Sequence, residues 1–179
     1  IDYELRDRYY EGRIVKYKEE QVLAIVRDVT EERMAALEVK EKNDFIRLVL
    51  NTSPSLIYVK DGEGNFKLAN QEFAALFGLT PEEIVEFNNR DLHRVLQELQ
   101  HFDRVDQLVI KTRQELRVHE MFTLPDGRVE WFNTIKKPLI TKDGEVHVLG
   151  ISTNVTQQYN STKRLEESEE LYRLLSENS

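Results

Sequence analysis

The chain has 179 residues, long enough for one domain of ordinary size with flanking pieces and short for two full domains. Hydrophobic residues make up 40% and charged residues 32%, and the longest apolar runs, such as Leu56 to Val59, are far too short to cross a bilayer. A formal net charge of −8 excludes the broad positive surface that sequence-independent nucleic-acid binding requires, and the absence of cysteine excludes disulfides, thiolate metal sites and cofactors attached through sulfur. This composition fits a reducing, cytoplasmic compartment. The start at Ile1, with no signal-peptide pattern behind it, reads as a piece of a longer protein.

Two β-rich runs, RYYEGRIV from Arg8 and VLAIVRDV from Val22, open the chain. A hairpin spanning residues 5 to 28 is marginal alone, so it is expected to pair with a sheet edge or a second chain. Glu31 to Leu50 is charged and free of Gly and Pro, with Met34, Leu37 and Leu48 at helical spacing, and it reads as a connector helix with Thr30 as its N-cap and Pro54 beyond its end. SLIYVKDGEGNFKLAN then places two short strands around the turn-forming Asp61 to Asn65. Asn70 is positioned to cap the short helix QEFAALFG, which Gly78 stops; Thr80, Pro81 and Glu83 form a capping box for the next helix.

From Asp91 to Thr112 the apolar positions Val95, Leu99, Phe102 and Val109 recur at near-helical spacing and predict an amphipathic helix. Arg117 to Leu124, Val129 to Ile140 and Val146 to Val155 are β-rich runs joined by Pro125-Asp126-Gly127 and Lys142-Asp143-Gly144, a three-strand meander. Gln157 to Leu175 repeats the connector design. The order predicts an α+β fold, a five-stranded antiparallel sheet with helices on one face, flanked by connector helices.

An internal repeat sets the edges. VLAIVRDVTEER from Val22 falls on VLGISTNVTQQY from Val148, a shift of 126 residues, and the same shift lays Phe45, Arg47, Leu48 and Ser53 on Leu171, Arg173, Leu174 and Ser179. The chain then divides into residues 1–30, the closing strands of one unit; 31–53, a connector helix; 54–156, a complete unit; and 157–179, an exit helix with the start of a following unit.

SPSLIYVKDGEGNFKLANQEFAALFG together with DGRVEWFNTIKKPLITKDGEVHVLG resembles the PAS family, whose units run from a short hairpin through a helical crossover to a meander that ends in a D-x-T step into a helix. The resemblance covers residues 44 to 156, and RYYEGRIV with VLAIVRDVTEER looks like the end of a preceding PAS unit. It implies a sensory or signal-relay module of a bacterial sensor histidine kinase, diguanylate cyclase or related protein, with the catalytic part outside this chain. The D-x-T step reads Asp28-Val29-Thr30 in the first unit and Asn154-Val155-Thr156 in the second, where Asn cannot hold the salt bridge that the family's Asp often forms. Asp28, Thr30, Asn154 and Thr156 are therefore the expected signal-exit residues.

An apolar cavity between helices and sheet is expected from some of Ile57, Val59, Leu68, Phe73, Phe77, Leu92, Phe102, Phe122, Ile135 and Ile151. No cofactor is assigned. A small metabolite or a non-covalent flavin against Trp131 is compatible with the resemblance, whereas the polar surroundings of His101 argue against haem. His93, His101, His119 and His147 form no zinc motif, and no nucleophile elbow or phosphate loop occurs. The expected partners are a second copy, met through the connector helices and a sheet edge, and neighbouring PAS and output domains, with neither nucleic acid nor membrane insertion. The competing reading is a dimerisation spacer with a filled core and no ligand.

Overall fold

The computed structural model describes residues 2–5, 8–19, 21–92 and 96–177, which form two compact units, residues 1–49 and 50–179. Val95 and His93 lie outside the described residues.

The first unit is an antiparallel sheet in which β2 (Arg8–Lys18) pairs on one side with β3 (Gln21–Asp28) and on the other with β1 (Asp2–Leu5). The sequence reading contained only the β2–β3 hairpin; β1 supplies a third strand. Helix α1 (Thr30–Asn51) follows at once and carries Met34, Leu37, Phe45 and Leu48 exposed along it.

The second unit is a five-stranded antiparallel sheet in the order β5 (Phe66–Ala69), β4 (Leu56–Lys60), β8 (Val146–Asn154), β7 (Val129–Ile140), β6 (Leu116–Thr123). This is the architecture expected from the order of elements. Between β5 and β6 run α2 (Gln71–Ala75), α3 (Pro81–Ile84), α4 (Asn89–Leu92) and α5 (Leu96–Thr112), and α6 (Thr156–Glu177) leaves from β8. Of the long helix read from Asp91 to Thr112, Asp91 and Leu92 fall in α4 and residues 96–112 form α5, with residues 93–95 outside the described residues.

Local chemistry accounts for these starts and stops. Asp61 accepts bonds from the amides of Glu63 (3.0 Å) and Asn65 (2.9 Å) and pairs with Lys67 at 3.0 Å, closing the β4–β5 turn. Thr80 and Glu83 make the reciprocal capping box, and Gly78 takes a φ of +69° that L side chains rarely adopt. Asn70 does more than cap. Fully buried, it accepts from the amides of Phe73 (3.1 Å) and Ile57 (2.9 Å) and donates to the carbonyls of Leu50 (3.1 Å) and Ser55 (2.8 Å). One side chain thereby joins Leu50, where the second unit begins, the start of β4 and the start of α2.

The core is an aromatic layer between the sheet and α2, α3 and α5, with Tyr58, Phe66, Phe73 and Ile84 at one end and Phe102, Phe122, Leu124 and Phe132 at the other. Phe77 packs against both groups.

Asn70→Ala would leave two backbone amides and two carbonyls without their partner, so a loss of about 1–3 kcal/mol is expected in urea unfolding. Partial burial pushes the Asp61 pKa up, but the bonds from Asn65, Lys67 and Glu63 outweigh it and bring the value down to about 2. Because the folded value lies below the unfolded one, the stabilisation is complete above about pH 4 and is lost as pH falls toward 2. The stability gap between wild type and Asp61→Asn should therefore be constant above pH 4 and close between pH 4 and 2 in denaturation series.

Candidate functional site

A cavity opens between the inner face of the sheet and helices α2, α4 and α5. Its walls include Leu56, Phe66, Phe73, Leu76, Phe102, Phe122 and Phe132 on the apolar side and Tyr58, Lys60, Asn89, Glu120, Thr134 and Ser152 on the polar side. The centres of water-sized molecules can occupy about 40 Å³ of it. Pockets for drug-sized ligands run to roughly 300–1,000 Å³, so an occupant of this space is small.

Strand phase decides which residues reach the cavity. Side chains alternate across a strand, and on β4 the inward set is Leu56, Tyr58 and Lys60. Ile57, Ile151 and Ile135 are Cα partners in one cross-strand row, and Val59 pairs with Leu68 and Leu149. These positions lie on the opposite, outer face. Of the ten residues expected at a cavity, the structure brings together Phe73, Phe102 and Phe122, with Phe77 and Leu92 packed behind them; Ile57, Val59, Leu68, Ile135 and Ile151 do not line it. The inner face is also far less apolar than expected.

Its polar centre is a buried charge cluster. Lys60 Nζ lies 2.5 Å from Asp106 Oδ2, and Lys136 Nζ lies 2.9 Å from Asp106 Oδ1 and 3.0 Å from Glu120 Oε1. All four residues are buried, Lys136 with 0% exposure, so each charge depends on the others for compensation. The contacts are not all well aligned. Asp106 Oδ1, Glu120 Oε1 and Lys136 Nζ are close in distance but make no directed hydrogen bond. Burial opposes the charge on both lysines. At Lys60 it wins over Asp106 and the pKa is lowered; at Lys136 the surrounding Tyr58, Asp106 and Glu120 win and the pKa is raised. Burial also pushes the Asp106 carboxyl up, but Lys60 and Lys136 outweigh it and hold the pKa below the ordinary carboxylate value.

Gly150 makes room for this arrangement. It is the Cα partner of both Tyr58 and Lys136, and a Cβ there would sit 2.2 Å from the Tyr58 ring. The Tyr58 ring thus lies across the glycine, with Lys60 Nζ 5.3 Å from its centroid. A glycine inside the run VLGIS is the one sequence signal that could have marked this close approach.

The two strand-to-helix exits have the same bonding. At the first, Val29 N donates to Tyr9 O (2.9 Å), Thr30 N to Asp28 Oδ1 (3.0 Å) and Tyr9 N to Thr30 Oγ1 (2.9 Å). At the second, Val155 N donates to Trp131 O (2.8 Å), Thr156 N to Asn154 Oδ1 (2.9 Å) and Trp131 N to Thr156 Oγ1 (2.9 Å). In both, the threonine hydroxyl accepts a bond from the neighbouring strand and so fastens the helix start to the sheet. Thr30 is not the N-cap read from sequence: it is the first residue of α1, and the carbonyl of Val29 before it takes the first intrahelical bond, from Arg33 N at 2.9 Å. The lateral partners differ. Asp28 pairs with Arg8 at 3.5 Å, whereas Asn154 donates to Glu130 at 2.6 Å; Arg33 lies over the Tyr9 ring, whereas Tyr159 stacks on Trp131 at 4.4 Å. Asn154 therefore replaces the salt bridge with a hydrogen bond to an acidic partner.

A family profile described as PAS fold matches residues 50–160. The chain belongs to the PAS family. It carries a PAS sensory domain. Its curated relatives include the aerobic respiration control sensor protein ArcB of Escherichia coli K12, 22% identical over 120 residues that make up 66% of this chain and 15% of ArcB. This chain thus matches only a small part of that relative. Among solved structures, the PAS domain of the HTR-like protein of Haloarcula marismortui is 16% identical with a TM-score of 0.55, over 68% of this chain and 98% of that one. The Vibrio cholerae VqmA dimer is 21% identical with a TM-score of 0.55, over 64% and 52%. These likenesses are of fold.

Among the described residues no group of three or more His, Asp or Glu side chains is placed to hold a metal, and no helix is long and apolar enough to cross a membrane. His101 Nε2 is 3.9 Å from Glu120 at the edge of the charge cluster, with its ring half exposed.

Lys136→Met should cost about 3–5 kcal/mol in chemical denaturation, because it strands the Glu120 carboxylate in the core. Adding Glu120→Leu to that variant removes the stranded charge and should restore a large part of the loss.

Proposed function

We propose that this PAS domain is a sensory relay of a multi-domain bacterial signalling protein, in which the state of the cavity is passed through β8 to the exit helix α6 and on to an output domain. The observation that carries the reading is the continuity of cavity and exit along one strand. Ser152 lines the cavity and is bonded to Thr134 Oγ1 at 2.9 Å; two residues on, Asn154 holds the amide of Thr156 at the start of α6. Phe132, another cavity residue, is the Cα partner of Asn154. An occupant that favours one arrangement of Thr134, Phe132 and Ser152 biases the geometry of the exit, and it does so only by as much as its affinity differs between the two arrangements.

The matching bonds at Asp28–Thr30 and Asn154–Thr156 support the tandem reading, with residues 1–30 as the closing strands of a preceding unit and α1 and α6 as successive connectors. The resemblance to ArcB favours a sensor kinase as the parent, working in the cytoplasm. VqmA, similar in fold, has been solved bound to DPO. VqmA has also been solved in a complex with DNA; for the present chain the net charge of −8 favours protein partners instead.

A dimerisation spacer with a filled core is the second reading, favoured by the small cavity volume and by the exposed Leu37, Phe45 and Leu48 on α1. The two readings part in solution. Trp131, the only tryptophan of the chain, stacks on Tyr159 at the exit and reports on it by fluorescence. A relay predicts that metabolites raising the melting temperature also change Trp131 emission, and that Asn154→Ala weakens the change without abolishing binding. A spacer predicts no stabilising metabolite and a dimer that dissociates, by sedimentation, when Leu37 and Leu48 are made polar.

A further inference from the structure

Taking the sensory reading as its basis, we propose that the cavity is built for a small, uncharged, ring-sized molecule that donates hydrogen bonds on one edge, of the aminoazole kind, and selects against anions of the same shape. Three features of the walls lead to this class.

The first is an acceptor without a donor. Asn89, at the first position of α4, is 1% exposed and lines the cavity. Its orientation is fixed, because Nδ2 donates to Asp103 Oδ1 at 2.9 Å, and a carboxylate can only accept. Oδ1 is therefore the other end of the amide, and no described protein group donates to it. A buried carbonyl oxygen in that state is stabilised by an occupant that brings an N–H or O–H.

Glu120 is the second. Its Oε1 has Lys136 Nζ at 3.0 Å but outside hydrogen-bonding alignment, so this carboxylate also retains acceptor capacity toward the cavity it lines. Two acceptors call for an occupant with two donor groups.

The third is charge and shape. Lys60 and Lys136 are matched by Asp106 and Glu120, and the part-buried Asp103, which acts on Lys60 and holds Asn89, adds a further negative group, so an added anion would be buried without compensation. The remaining wall is aromatic, with Phe66, Phe73, Phe102, Phe122 and Phe132, a surface that suits a flat ring. The volume limits that ring to one.

Three five-membered rings with one substituent separate these requirements: 3-aminopyrazole, neutral with two N–H groups; 2-methylfuran, neutral without a donor; and 5-methyltetrazole, an anion at neutral pH. Titrated into the whole chain and followed by nitrogen–proton NMR shifts, 3-aminopyrazole is expected to bind at least tenfold more tightly than either of the others, with shifts at Asn89, Glu120 and Ser152. Asn89→Ala should reduce that preference over 2-methylfuran to less than threefold. Should this variant not fold, the comparison of the three rings on the wild-type chain decides alone. Equal binding of 2-methylfuran, or tighter binding of 5-methyltetrazole, overturns the ligand class while leaving a sensing cavity in place, whereas saturation by none of the three overturns the class. A relay failure is read separately, as binding of 3-aminopyrazole with unchanged Trp131 emission.

Discussion

Lys136 is held between Asp106 and Glu120 at the centre of the sheet with no exposure to water, and the rest of the domain is arranged around that ammonium group. It stands on β7; Asp106 stands on α5, Glu120 on β6, and Lys60, which shares Asp106, on β4. The cluster therefore ties the long helix to β6 and β7, which follow it, and to β4, which lies far earlier in the sequence. Such a cluster is not a cheap source of stability, since desolvation consumes most of the attraction. What it supplies is position. Charges that must face each other leave α5 few acceptable placements over the sheet, where an all-apolar layer would tolerate sliding.

That constraint shapes the cavity. The Tyr58 ring occupies the space that Gly150 leaves without a side chain, with Lys60 Nζ 5.3 Å from its centroid, and the aromatic residues from α2 and α5 close over the polar floor without filling it. Leftover hydrogen-bonding capacity at Asn89 and Glu120 is the mark of a core not optimised for packing alone. Sites of this kind, polar atoms inside an aromatic wall, are where recognition is commonly built.

The exits show how one geometry is held by different chemistry. The backbone bonds and the threonine bridge are the same at Thr30 and Thr156, while the lateral contacts exchange a charge pair for Asn154–Glu130 and a cation over a ring for the Trp131–Tyr159 stack. An Asn at the first position of the D-x-T step thus leaves the linkage intact, because its Oδ1 still accepts from the helix amide and its Nδ2 still reaches the next strand.

The sequence by itself determined the order of elements, the hairpin turns, the capping residues Asn70, Thr80 and Glu83 and the repetition of the two exits, because these depend on local periodicity and on turn and cap chemistry within a few residues. It also led to the PAS family. Only the tertiary structure decided the face of each strand. In LIYVK both phases carry apolar side chains, and hydrophobicity favours Ile57 and Val59 for the interior, yet Tyr58 and Lys60 are the ones inside. A one-residue change of phase exchanges the whole inward set. Of the neighbours Lys136 and Lys137, one is fully buried and the other exposed, and nothing within the strand distinguishes them. The distinction comes from Asp106 and Glu120, carboxylates 30 and 16 positions earlier that only the folded chain brings within 3.0 Å.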